Sequence, residues 1–89
     1  MPEIRIPSVL RAEAAGSRSV TVEGTSVREA LGALITQYPN LESRVLPDGA
    51  VPAFLNLFVD GQDVRLLDGL DTPVGGSSTL LLLPAVAGG

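Results

Sequence analysis

Hydrophobic and polar residues alternate in two short stretches near the N-terminus, at residues 3–6 (EIRI) and 19–23 (SVTVE). Alternation with a period of two is typical of a strand that buries one face. The small and polar residues 12–18 between the two stretches are typical of a loop or wide turn. The pattern therefore predicts an N-terminal β-hairpin in which Val20 and Val22 face the core.

The next stretch changes to a helical period. Ser26 and Glu29 fit the capping box, in which the hydroxyl and the carboxylate accept hydrogen bonds from N–H groups that the first turn leaves unpaired. Pro39 ends the helix, because the residue before a proline is disfavoured in the helical conformation. Residues 41–46 are predicted to add a short helical turn. The apolar stripe of the helix consists of Val27, Ala30, Leu31, Leu34, Ile35 and Tyr38.

The C-terminal half returns to strand patterns. Residues 53–59 form a continuous β-prone run, which predicts a central strand covered on both sides. Asp60 and Gly61 are a strong signal for a tight hairpin, followed by a short strand at residues 62–66. Residues 79–83 (TLLLL) predict the last strand. One main helix in an otherwise β chain indicates an α+β fold, with the helix packed on one face of a mixed sheet of four to five strands.

The last strand has apolar residues on both of its faces. Successive side chains of a strand point to opposite faces, so Leu80 and Leu82 are predicted to fill the core, whereas Leu81 and Leu83 face the other way. A single helix leaves that second face uncovered, and a contiguous exposed apolar patch usually marks a partner site. We therefore assign Leu81 and Leu83 to a candidate partner-binding patch; the alternative is a loop that covers them.

Composition and charge narrow the function classes. The chain has 89 residues, 45% of them hydrophobic, with a mean hydropathy of +0.35, which indicates one globular domain. Its net charge of −4 argues against nucleic acid and favours a basic partner surface. No signal peptide or membrane-spanning run is visible, so we expect a cytoplasmic protein that does not bind membranes.

All six cations are arginines, and three of them are candidates for binding an anion or an acidic patch on a partner: Arg5, Arg11 and Arg65. We add Arg11 and Arg65 to the candidate partner-binding patch. The alternative for each is a solvated or internally paired side chain.

Few side chains in this sequence are suited to catalysis. It contains no Cys, His or Lys, which excludes thiolate, imidazole and Schiff-base chemistry. The aspartates at positions 60, 63, 68 and 71 do not have the spacing of a calcium loop, and residues 75–78 (GGSS) lack the lysine of a phosphate-binding loop. We therefore expect no metal site, no stably bound cofactor and no self-contained enzymatic activity.

The C-terminal residues 84–89 (PAVAGG) differ from the strand before them. Pro84 has no N–H with which to continue a ladder, and the chain ends on two glycines. The pattern divides the chain into a domain, residues 1–84, and a flexible reactive tail, residues 85–89. Because the remaining side chains offer so little chemistry, the candidate reactive group is the terminal carboxylate of Gly89; the alternative is an ordinary frayed terminus.

Several segments together resemble the ubiquitin-like β-grasp sulfur carrier proteins, a family that includes the thiamin sulfur carrier and the small subunit of molybdopterin synthase. They are residues 6–11 (IPSVLR), 54–56 (FLN) with 63–65 (DVR), and above all 83–89 (LPAVAGG). The pattern is most similar to the CysO-type carriers of actinobacteria. It departs from its relatives at residues 76–78 (GSS), where they commonly have a Gly-Asp pair, and we expect an altered turn there.

The resemblance implies a β-grasp domain in which the first and last strands pair in parallel at the centre of the sheet. It also implies that a ubiquitin-activating-type adenylyltransferase uses ATP to activate Gly89, and that a sulfur donor then converts the acyl-adenylate to a thiocarboxylate. A pyridoxal-phosphate-dependent cysteine synthase, or another acceptor enzyme, would receive the sulfur from this monomeric protein co-substrate. The residues expected to thread into the partner's active site are Pro84, Ala85, Val86, Ala87 and Gly88.

Three alternatives remain open at this point. The sulfur could serve molybdopterin, thiamin or a specialised metabolite in place of cysteine. The chain could instead be a protein modifier that forms isopeptide bonds through Gly89, and its lack of lysine would prevent self-chains but not attachment to targets. It could also be a non-catalytic β-grasp interaction module whose tail is incidental.

Overall fold

Five strands form one mixed sheet in the computed structural model, which describes residues 1–84. In chain order they are β1 (Glu3–Arg5), β2 (Ser19–Thr21), β3 (Leu55–Val59), β4 (Gln62–Asp63) and β5 (Thr79–Pro84). The order across the sheet is β2-β1-β5-β3-β4. β1 and β5 are parallel, and the other neighbouring pairs are antiparallel. The α+β class, the N-terminal hairpin and the parallel central pairing are confirmed.

Helix α1 (Val27–Gln37) packs on one face of this sheet, and the four-residue α2 (Glu42–Val45) confirms the predicted extra turn. The Ser26 hydroxyl accepts the Glu29 N–H at 3.2 Å, as a capping box requires. The Glu29 carboxylate, however, accepts from the Thr25 N–H at 2.8 Å and the Thr25 hydroxyl at 3.0 Å, not from the N–H of Ser26. These two bonds, the backbone one first, lower the pKa of the Glu29 carboxyl. The side chains that α1 buries are Val27, Ala30, Leu31 and Leu34.

Two helical segments depart from the sequence-based prediction. The connection between β1 and β2, predicted as a loop, is largely a 3-10 helix over Ser8–Ala14. It buries Leu10 and Ala14, whose four-residue spacing is the signal that the loop-like composition concealed. The predicted strand 62–66 is wrong beyond Asp63, because the Asp63 carboxylate accepts the Arg65 N–H at 2.9 Å and turns the chain into a short 3-10 helix, Val64–Leu66.

β3 is covered on one side only, so the predicted cover on both sides is wrong. Leu55, Leu57 and Val59 are buried, whereas Asn56 and Phe58 are half-buried on the other face. The cause is the position of the main helix α1, which covers one face of the sheet. β3 also lies between β5 and the short edge strand β4 and is not the central strand.

The central strand β5 is held in register from both sides. The predicted two-residue turn at Asp60 and Gly61 has positive φ at both residues, 50° and 88°, as a type I′ hairpin requires. The same aspartate fixes the start of β5, because its N–H donates to the Thr79 carbonyl at 2.9 Å and its carboxylate accepts the Thr79 N–H at 3.0 Å. On the β1 side, the Glu3 N–H donates to the Ser78 carbonyl at 3.0 Å.

The hydrophobic core lies between α1 and the inner face of the sheet. Residues that are paired across neighbouring strands point to the same face of the sheet. The buried side chains of β1, β2, β3 and β5 occupy such paired positions. Neither α1 nor α2, the two α-helices within residues 1–84, is long and apolar enough to cross a membrane. The inner-face side chains are Ile4, Val20, Leu55, Leu57, Val59, Leu80 and Leu82.

Candidate functional site

The two faces of β5 differ as the alternating pattern predicts. Leu80 and Leu82 have no exposed surface, whereas Leu83 is 44% exposed and Leu81 is half-buried. No loop within residues 1–84 closes over Leu83. The orientation of Leu81 and Leu83 away from the core is therefore observed, and their role in binding a partner stays a prediction.

The neighbours of these leucines are set by the register of the sheet. Leu81 lies between Arg5 on β1 and Phe58 on β3, which explains why it is more covered than Leu83. Leu83 lies opposite Asn56 on β3. We name this outward surface of β1, β5 and β3 the open face. It presents an apolar stripe of Leu81, Leu83 and Phe58 at its centre.

Arg65 lies at the β3–β4 side of the open face, next to Leu83. Its guanidinium donates to both oxygens of the Asp63 carboxylate, at 3.3 and 3.1 Å, and also to the side-chain oxygen of Asn56, the ladder partner of Leu83. The hydrogen bonds from the Arg65 side chain and then its backbone N–H lower the pKa of the Asp63 carboxyl, and the same partner raises the pKa of Arg65. The charge of Arg65 is thus balanced locally by Asp63.

Arg11 lies at the opposite side, at the C-terminal ends of β1 and β5. Its Nε donates to the Ile6 carbonyl at 3.0 Å, which holds the guanidinium group against the backbone after β1. There it lines a groove of about 280 Å³ with Arg5, Arg18 and the edges of Leu81 and Leu83. The predicted patch residues Leu81, Leu83, Arg11 and Arg65 therefore all lie on or beside one face.

Arg18 has no role in the sequence-based interpretation, although it is part of the groove. The signal was present in the predicted hairpin: Arg18 directly precedes β2, and its carbonyl accepts the Ile6 N–H at 2.8 Å. Pairing the two N-terminal stretches residue by residue brings Arg18 next to the end of β1, close to Arg5.

The tail begins where this face ends. Pro84 is the last residue of β5 and lies opposite Leu55. The other predicted tail residues, Ala85, Val86, Ala87, Gly88 and Gly89, lie outside the described residues, so their predicted roles stay predictions. Within residues 1–84, no group of three or more acidic side chains is placed to hold a metal ion. The open face and the chemistry of the tail are therefore the features from which a function can be argued.

The chain is similar to proteins of one family over nearly its whole length. The sequence model of the ThiS family matches residues 4–89. The sulfur carrier protein CysO of Mycobacterium tuberculosis is 32% identical over 89 residues, with 97% of this chain and 96% of that protein covered. Small archaeal modifier protein 1 of Haloferax volcanii is 40% identical over 82 residues, with 88% of this chain and 90% of that protein covered.

Among solved structures, a chain of the Amycolatopsis orientalis BexX/CysO complex matches with a TM-score of 0.94 and 32% identity, and each chain is covered completely. The ubiquitin-like β-grasp fold and the resemblance to sulfur carriers, both predicted from the sequence, are confirmed. The chain belongs to the ThiS family.

Proposed function

We propose that this protein is a sulfur carrier whose C-terminal Gly89 is converted to a thiocarboxylate, and that its sulfur is used for cysteine biosynthesis. The observation that carries the proposal is the geometry of β5. This central strand, fixed in register on both sides, ends at Pro84 beside the exposed Leu83 and continues in the sequence as AVAGG. A partner that covers the open face would thus lie next to the start of the tail.

The reaction needs two steps at the carbonyl carbon of Gly89, and both are performed by partner enzymes. First, a carboxylate oxygen attacks the α-phosphorus of ATP, and pyrophosphate leaves, which gives an acyl-adenylate. Second, a sulfur nucleophile at the oxidation level of sulfide attacks the carbonyl carbon, and AMP leaves with the bonding electron pair. The product is a thiocarboxylate, an anionic sulfur nucleophile, so a protein without cysteine can deliver sulfur.

The residues of the chain contribute presentation, not catalysis. Gly88 and Gly89 have no Cβ, so they fit a narrow channel and adopt backbone conformations closed to other residues. Ordering a chain segment costs roughly 1–2 kcal/mol per residue. Burial of Leu81 and Leu83 against the partner would offset part of that cost, since a fully buried leucine contributes about 1.5–3 kcal/mol.

The choice of cysteine biosynthesis rests on the similarity to carriers named CysO. A pyridoxal-phosphate-dependent cysteine synthase is the acceptor that we propose. Carriage of sulfur to molybdopterin, thiamin or a specialised metabolite needs the same tail chemistry and a different acceptor. The acceptor enzyme, not the carrier, determines which product forms.

A second candidate function is protein modification, and one observation favours it: the 40% identity to small archaeal modifier protein 1. In that function, an amine of a target protein attacks the activated Gly89 and forms an isopeptide bond. The chain has no lysine, so it offers no side-chain amine to another copy. Conjugates would therefore be attached to other proteins and would not form lysine-linked chains.

The test is intact-mass spectrometry of the purified protein after incubation with ATP, sulfide and the adenylyltransferase from the same organism. We expect a mass increase equal to the exchange of one oxygen atom for one sulfur atom. Adducts of the whole chain on other proteins in an extract, without that exchange, would favour protein modification. An unchanged mass, with wild-type behaviour after deletion of Gly89, would contradict both functions.

Matched tags provide the control. A C-terminal tag moves the reactive carboxylate away from Gly89 and should abolish the mass change. The same tag at the N-terminus should leave it intact, because Met1 is 61% exposed. A C-terminally tagged protein that still gains sulfur at Gly89 would contradict the proposal.

A further inference from the structure

The six arginines of this chain fall into two groups, those that form an ion pair and those that line the groove. Three of the six form ion pairs within residues 1–84, at 3.2 Å to Asp71, 3.4 Å to Glu13 and 3.1 Å to Asp63. The other three take part in no ion pair within that part of the chain, and all three line the groove at the C-terminal ends of β1 and β5. The paired arginines are Arg28, Arg44 and Arg65; the groove arginines are Arg5, Arg11 and Arg18.

This concentration of cations contrasts with the rest of the molecule. The chain has a net charge of −4, so positive charge in one groove leaves the remaining surface strongly acidic. Arg5 and Arg18 are exposed, and Arg11 is held in place by its hydrogen bond to the Ile6 carbonyl. Like charges that converge without a counter-charge repel one another, and an anionic group bound between them removes that repulsion.

The groove joins this charge to the apolar stripe. Leu81 and Leu83 line the groove from β5, and the arginines line it from the side of β1 and β2; we call these two sides its walls. A ligand that fits both walls carries carboxylates on one side and an apolar side chain on the other. The β3–β4 side of the open face does not require a carboxylate from the ligand, because the charge of Arg65 is already balanced by Asp63.

We propose that the groove of Arg5, Arg11 and Arg18 docks an acidic segment of the partner enzyme, with carboxylates placed against the arginines and an apolar side chain packed on Leu81 and Leu83. The proposal rests on the proposed function, in which the open face binds the activating partner. It reverses the expectation from net charge alone, which favoured a basic partner surface. It also sets the orientation of docking: the acidic residues of the partner face β1, and its apolar residues face β5 and β3.

The first test measures association with the adenylyltransferase that produces the thiocarboxylate, for Arg5→Gln, Arg18→Gln and the double variant, from low to high salt. Each neutralisation should slow association by about two- to fivefold at low salt, and the difference should shrink as salt screens the charges. Arg28→Gln, which removes a cation on α1 away from the open face, is the matched control and should associate like wild type. At saturating enzyme, all variants should still gain sulfur. Groove variants that associate like the control would overturn the proposal and leave the sulfur-carrier function intact.

The second test does not depend on the activating enzyme. A short peptide of glutamates flanking one leucine is titrated into the isotopically labelled full-length protein, and amide shifts are followed by NMR. Shifts confined to residues around Arg5, Arg18 and Leu81, and abolished in the double variant, would support the proposal. Shifts scattered over the surface, or equal in the double variant, would overturn it.

The competing occupant is the chain's own terminal carboxylate. Amidation of the C-terminus removes that negative charge without removing any residue. If amidation moves the amide signals around the groove arginines and strengthens peptide binding, the chain's own terminus occupies the groove, and the proposal is overturned. Unchanged signals and unchanged affinity would support a site reserved for a partner.

Discussion

Substitution of Leu83 separates docking from folding more sharply than any other change on β5. Leu83 is 44% exposed, while its neighbour Leu82 is fully buried. The two residues have the same side chain, the same strand and adjacent positions, and they differ only in the face that they occupy. Leu83→Ala and Leu82→Ala are therefore a matched pair in which only the environment changes.

The expected loss of affinity follows from the exposed fraction of Leu83. Transfer of a whole leucine side chain out of water is worth about 1.5–3 kcal/mol, so the 44% that remains exposed offers about 0.7–1.3 kcal/mol to a partner. At 1.4 kcal/mol per tenfold, Leu83→Ala should weaken the complex by at most about three- to ninefold. Its cost to folding should be about 0.8–1.7 kcal/mol, because only a little over half of the side chain is buried in the free protein.

Leu82→Ala should show the reverse pattern. Deletion of a fully buried leucine costs about 2–5 kcal/mol, a large share of the roughly 5–15 kcal/mol that stabilises a small domain. If that variant does not fold, Leu82→Val loses about 1 kcal/mol and keeps the comparison measurable. Any Leu82 variant that folds should bind the partner with an affinity close to that of wild type.

Urea denaturation measures the free energy of unfolding of each variant, and titration of the adenylyltransferase measures its affinity for the partner. The proposed docking geometry requires Leu83→Ala to lose mainly affinity and Leu82→Ala to lose mainly stability. A Leu83→Ala protein that binds normally would contradict the assignment of Leu83 to the docking surface. A Leu82→Ala protein as stable as Leu83→Ala would contradict the register of β5 itself.

Two further predictions test local physical arguments. Gly24→Ala should destabilise the fold by more than 1 kcal/mol, because a Cβ there would lie 2.8 Å from the backbone nitrogen of Ala30 and φ is +153°. Gly32→Ala should stabilise the fold by about 0.5–1 kcal/mol, because this glycine lies inside α1 and a Cβ there would meet no atom within 4 Å beyond the helix backbone itself. Thermal or urea denaturation of the two variants checks both signs. The pKa of the Asp63 carboxyl, followed by NMR, should rise towards its ordinary value in Arg65→Gln. Because the folded-state pKa lies below the unfolded value of 3.8, the stabilisation from this pair is complete above that pH and is lost as the pH falls through the folded-state pKa; equal titration curves in the two proteins would contradict this.

The central features of the fold could be predicted because they rest on local patterns. The 3.6-residue period after Ser26 and the Asp60-Gly61 pair each dictate their structure within a few residues, and the alternation of β5 predicts correctly that Leu82 is buried. The features that the sequence concealed depend on contacts between distant segments. Whether β3 is covered on one face or both depends on where α1 packs, and the composition of β3 does not reveal that. The 3-10 turn after Asp63 arises from one side-chain hydrogen bond to Arg65 that competes with the strand ladder.

The candidate site shows the same division. The Leu81/Leu83 alternation is local and could be predicted, whereas Gly88 and Gly89 lie outside the described residues and their role stays a prediction. The arginine groove is not local, because Arg5, Arg11 and Arg18 come together only when β1 and β2 form a hairpin and β5 pairs alongside. Net charge alone favours a basic partner surface, and it cannot reveal the groove because it averages over a surface whose arginines without an ion pair in residues 1–84 are concentrated at one end.

The central position of β5 links these observations to the proposed function. Because β5 is bonded to β1 on one side and β3 on the other, the starting point of the tail is fixed relative to both walls of the groove. A partner that engages the arginines and the apolar stripe together therefore determines the direction in which the tail leaves the domain. Either wall alone would allow rotation about the contact. Because each single change already frees this rotation, the combined change Arg5→Gln with Leu83→Ala should slow sulfur incorporation at limiting enzyme by less than the product of the single effects. A simply multiplicative result would show that the two walls act independently.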